Sequence, residues 1–71
     1  MTTLGLTLPL KIERLEEAVK VVDANGKAVA YFYVAAERER RLQTNRHSPE
    51  EGVALAQICA RALTDALEAR L

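Results

Sequence analysis

At 71 residues, with ten basic side chains against ten acidic ones, the chain is a single small domain with no net field steering it to nucleic acid or an anionic membrane. A domain this size buries only about 60% of the surface its unfolded chain exposes, so disulfides, a metal or a second copy usually add to its core. Lone Cys59 excludes an internal disulfide framework, one histidine with one cysteine gives no zinc-ligand spacing, and no run of about 20 apolar residues exists to span a bilayer.

The opening MTTLGLTLPL lacks the basic start, long apolar core and cleavage site of a signal peptide, so a cytoplasmic location is expected. The next stretch, LPLKIERLEEAVKVV, reads two ways. Ile12, Leu15, Val19 and Val22 share one helical face, whereas Leu8, Leu10 and Ile12 alternate as a strand does. A helix over 11–22 would leave the following strand without a local partner for its backbone groups. The preferred reading is a strand at about 8–14, a loop near Leu15–Ala18 and a second strand to Asp23.

Asn25-Gly26, set between two β-branched and aromatic runs, predicts a two-residue type I′ hairpin. Ala24 then faces Lys27, and the pairing continues Val22 with Val29, Val21 with Ala30, Lys20 with Tyr31 and Val19 with Phe32. One face carries Val19, Val21, Ala28, Ala30, Phe32 and Val34 and is the expected core. The other carries Lys20, Val22, Val29, Tyr31 and Tyr33. Next, AAERERRLQTNRH predicts that the strand continues through Ala35 and is followed by a helical turn or short helix before Thr44-Asn45.

The final stretch announces a long helix. Ser48 is a good N-cap, Pro49 suits the first turn, and Glu51 completes an S-x-x-E capping box. Only Gly52 opposes it. Gln57, Arg61, Thr64 and Glu68 make a narrow polar stripe, and most of the rest is apolar, including Leu55, Leu63 and Leu67. That arc is roughly twice the 100° an ordinary surface helix uses. The fold class expected is therefore α+β: an antiparallel β-meander of two or three strands on a long C-terminal helix, with a short helix between them.

Chemistry finds little to stand on. Cys59 lies within the apolar arc, as a small buried hydrophobe would. Ser48 beside His47 is assigned to capping, and Glu16 and Glu17 read as solvated. Gly5, Gly26 and Gly52 are too far apart for a phosphate loop. No catalytic residue, cofactor or metal is expected. Two half-covered surfaces instead point to association: Tyr31, Tyr33 and Val29 on the sheet, and Leu55, Leu63 and Leu67 on the helix. A homodimer is the leading expectation, with an unidentified protein partner as its variant. The alternative is a regulatory nucleic-acid binder using Arg38, Arg40, Arg41 and Arg46, where Glu37 and Glu39 interrupt the positive charge.

Asp23 and Gly26, then Ala30, Tyr31 and Tyr33, then Glu37, Arg38, Arg40 and Arg41 carry a resemblance. The chain resembles a group of short bacterial proteins, frequent in alphaproteobacteria, with a D-x-x-G turn, an A-Y-x-Y strand, an acidic and arginine-rich segment and an alanine-rich C-terminal helix. The resemblance implies a small hairpin-plus-helix fold. It implies no activity, because that group has no settled function.

Overall fold

Seven elements follow one another in the computed structural model, which describes residues 2–71. Strands β1 (Thr2–Thr3) and β2 (Leu6–Thr7) form a small hairpin of their own. Strands β3 (Lys11–Arg14), β4 (Ala18–Val22) and β5 (Ala28–Tyr33) form an antiparallel meander in the order β3-β4-β5. Helix α1 (Arg38–Thr44) is short, and helix α2 (Pro49–Glu68) is long. The fold is α+β, with α2 packed across the meander.

The ambiguous stretch 11–22 is strand, turn and strand. Leu15 N–H donates to the Ala18 carbonyl at 2.8 Å, closing the expected loop. Local helix propensity there loses to the hydrogen bonds β4 makes with strands on both sides. The strand before the loop starts at Lys11 and not near Leu8, where Pro9 has no N–H to give a ladder. At the other end of the meander, β5 ends at Tyr33, short of Ala35.

The turn after β4 differs from expectation. Gly26 N–H donates to the Asp23 carbonyl at 3.0 Å, and Asp23 pairs with Lys27 rather than Ala24 with Lys27. The loop is three residues, Ala24, Asn25 and Gly26, and in it only Gly26 takes a left-handed φ, at 85°. This is a type I turn closed by a glycine bulge, stabilised because the Asp23 carboxylate accepts from the amides of Asn25 and Lys27, each at 2.9 Å. The chain's type I′ geometry lies elsewhere: Leu4 and Gly5, between β1 and β2, both have positive φ (54° and 77°).

The predicted register holds for Val21 with Ala30, Lys20 with Tyr31 and Val19 with Phe32. It then slips, because Val22 pairs with Ala28 and not Val29. The extra residue, Val29, forms a bulge that breaks the strict alternation, and its side chain packs against the core.

That core centres on Val19, Val21, Val34 and Ala56, with Ile12, Phe32, Val53 and Cys59 packed around it. Gly52 sits where α2 lies closest to the sheet. A Cβ placed on it would come within 2.4 Å of Val34 Cγ1 and 3.2 Å of Val19 Cγ2. The helix start is as the residues dictate. Glu51 N–H donates to Ser48 Oγ at 3.2 Å, and Ser48 N–H donates to Glu51 Oε1 at 2.8 Å. The Ser48 amide, followed by its hydroxyl, holds the Glu51 carboxyl below the usual range. Ser48→Ala is expected to cost about 1 kcal/mol, read as a lower urea midpoint at unchanged slope.

Candidate interaction surfaces

Two apolar surfaces remain open on opposite sides of the sheet. The first is built by alternation on β5. Phe32 turns toward the core, so Tyr31 and Tyr33 turn away from it, 48% and 57% exposed. Their rings stack with centroids 6.2 Å apart and planes 13° from parallel. The Arg46 guanidinium lies over the Tyr33 ring, 5.6 Å from its centroid, extending the stack by a cation–π contact. Lys20, the cross-strand neighbour of Tyr31, reaches instead to Glu13 at 3.2 Å. An open cleft of about 390 Å³ borders the pair, lined also by Asn45 and His47.

This face is smaller than the residue pattern suggests. Val22 shares its parity yet is buried, at the end of the sheet where β2 is tied to Asp23 and Ala24. Val29, placed here by the expected register, belongs to the core side because of the bulge.

The outer edge of β5 is also blunted at both ends. His47 lies beside Val34 in a parallel bridge, donating to the Tyr33 carbonyl at 3.3 Å and accepting from Ala35 N–H at 2.9 Å. The bulge deforms the other end. Both devices discourage an added strand, so the tyrosine side chains rather than the edge backbone are what this side offers.

The second surface is the outer flank of α2. The helix uses Gly52, Ala56 and Leu67 for burial. Leu67, read as a contact residue, is only 3% exposed, and Leu63 and Leu55 are half-buried. The exposed apolar residues of this stretch are Ile58, at 68%, with Ala54, Ala62, Ala66, Ala69 and, past the helix, Leu71. Ile58 belongs to the apolar arc but not to the contact residues expected on it; its three- and four-residue spacing from Leu55 and Ala62 was the available signal.

The arginine run does not form one free patch. Arg40 and Arg46 both approach the Glu17 carboxylate, Arg40 in a close ion pair and Arg46 at 3.9 Å. Arg41 Nη1 donates to the Ala36 carbonyl at 3.4 Å, and Arg38 is exposed. Glu17, read as merely solvated, is thus an anchor for two arginines. Cys59 is half-buried against the core, and Ser48 is engaged in its cap. Among the described residues, no three His, Cys, Asp or Glu side chains gather to hold a metal, and no helix is long and apolar enough to cross a membrane. Against known families, curated proteins and solved structures, the chain finds no match.

Proposed function

We propose that this chain is a small cytoplasmic interaction module that self-associates as a homodimer, with the Tyr31/Tyr33 face and the open flank of α2 as its contact surfaces. The observation carrying this reading is that, beside scattered exposed leucines at Leu4, Leu15, Leu42 and Leu71, two exposed apolar groups stand out, the stacked Tyr31 and Tyr33, and Ile58 with its alanine neighbours. Scattered exposed hydrophobes are ordinary; grouped ones on a chain with so little core to spare favour a partner. The groups lie on opposite sides of the sheet, so a two-fold axis through one leaves the other free for a further protein. Sedimentation equilibrium of the full chain is expected to show a reversible monomer–dimer equilibrium. A monomer at every concentration up to about 1 mM, the weak end of specific binding, would sink the reading.

One observation favours a second reading. Stacked tyrosines beside Arg46 resemble the aromatic platforms on which single-stranded bases stack. Anisotropy of a labelled single-stranded oligonucleotide tests it. Steeply salt-dependent binding would support nucleic-acid recognition, and no binding at low salt would end it.

A further inference from the structure

Along α2, the exposed flank changes size from one end to the other. Its N-terminal half carries exposed Ile58 with half-buried Leu55 beside it, and its C-terminal half carries exposed Ala62, Ala66 and Ala69. Spacings of three and four put these residues in one strip on the helix surface. On the polar border of that strip stand Arg61 and Asp65, both exposed.

Laying this strip on a copy of itself separates the orientations. In a parallel pair, Ile58 meets Ile58, while the flanks bearing Arg61 and Asp65 fall on opposite sides of the contact, so no Arg61–Asp65 pair forms across it. In an antiparallel pair with Ala62 at the two-fold axis, Ala62 meets Ala62, Ile58 lies on the partner's Ala66, and Leu55 lies on the partner's Ala69. The same register brings Arg61 of each copy toward Asp65 of the other, giving two opposite-charge contacts. It also sets the helix dipoles head to tail. Volume and charge thus choose the same arrangement, and the small residue at the crossing lets the axes approach closely.

We infer that α2 docks antiparallel on α2 of a second copy, with Ala62 at the two-fold axis, Ile58 seated against Ala66 and Arg61 paired with Asp65 across the contact. This rests on the self-association reading and assigns its dimer contact to the helix, leaving the tyrosine face open. The strip from Leu55 to Ala69 is about 21 Å long at roughly 1.5 Å per residue. One helix pair of that length covers less than the roughly 800 Å² per partner of a standard interface, so the dimer is weak, with Kd on the order of micromolar.

The test is sedimentation equilibrium on the full chain at low salt, with circular dichroism confirming that each variant is folded. The substituted side chains are exposed, so the fold is expected to survive. Ile58→Asp should leave a monomer. Arg61→Asp and Asp65→Arg should each weaken the dimer about tenfold by placing like charges together, and the double variant should recover most of that loss. A dimer that withstands Ile58→Asp unchanged overturns the helix pairing while self-association stands. Failure of the double variant to recover overturns the register. A wild-type monomer removes the self-association reading itself.

Discussion

Gly52→Val is expected to leave the chain largely unfolded, and Gly52→Ala to lower its melting midpoint by roughly 5–15 °C. The cause is the close seat of α2 on the sheet. Even a methyl group at position 52 would overlap Val34 Cγ1, at 2.4 Å, and crowd Val19 Cγ2, at 3.2 Å. Neither valine can give way easily, because both are buried and β-branched, with restricted rotation about χ1. Overpacking of this kind costs about 1–3 kcal/mol, occasionally more, against the nearly 1 kcal/mol that alanine returns through helix propensity. A domain of this size has only about 4–10 kcal/mol of stability in all, and each kcal/mol moves its midpoint by roughly 4–8 °C. Valine adds further bulk and none of the propensity gain. Ala54→Val, two residues along α2 at an exposed position, is the control and should change the midpoint little. A Gly52→Ala protein as stable as the parent would mean that helix and sheet can separate freely, and the packing account would be wrong.

Gly52 also shows which part of this fold can be read from residues alone. Local signals carry their information in adjacent positions. Ser48, Pro49 and Glu51 mark the start of α2, and the alternation through Val19, Val21, Ala30 and Phe32 marks the core side of the meander. Gly52 looks, by the same local logic, like a weak point in a helix. Its necessity appears only when Val19 and Val34, from two other elements, are brought over it. The turn fails for a related reason. Asn25-Gly26 invites a type I′ loop, but the Asp23 side chain can bind the amides of Asn25 and Lys27, and that gain selects the longer loop and its glycine bulge. The changed loop shifts the pairing nearest the turn by one residue, the bulge at Val29 restores the predicted register from Val21 and Ala30 onward, and Val29 packs on the core side.

The candidate surfaces divide in the same way. Tyr31 and Tyr33 were legible because alternation assigns them together to the side away from Phe32. The helix flank was legible as excess apolar width but not as named residues, since a wheel does not say which part of a broad arc meets the sheet. The sheet takes the side of Gly52, Ala56 and Leu67, which removes Leu67 from any contact list and brings Ile58 onto it. Glu17 escaped notice because its partners, Arg40 and Arg46, are distant in sequence.

Asp23→Ala is expected to loosen the β1–β2 hairpin from the meander and to remove part of the protein's sensitivity to acid. Asp23 is 2% exposed, and besides the two amides in its own turn it accepts from Thr7 N–H at 3.0 Å through Oδ2. Ala24 N–H returns a bond to the Thr7 carbonyl at 2.8 Å, and Lys27 Nζ reaches the Gly5 carbonyl at 3.3 Å. One carboxylate therefore closes the turn and holds the N-terminal hairpin beside it. Without it, amide exchange at Thr7 and Ala24 should speed up by about tenfold or more, while the α2 amides around Ala56 keep most of their protection. The Thr7 amide, then that of Lys27, holds the Asp23 carboxyl below its ordinary value, with burial opposing them. A carboxyl with a lower pKa folded than unfolded stabilises the fold above its unfolded value, about 3.9, and that contribution drains away as pH falls through the folded value. Urea midpoints of the parent should accordingly decline below about pH 4. Asp23→Asn cannot titrate there, so its midpoints should be lower at neutral pH and fall less steeply in acid, with Glu51 retaining its own share of the slope. Parallel acid profiles for parent and Asp23→Asn would show that the three amide bonds do not hold this carboxylate in its charged form.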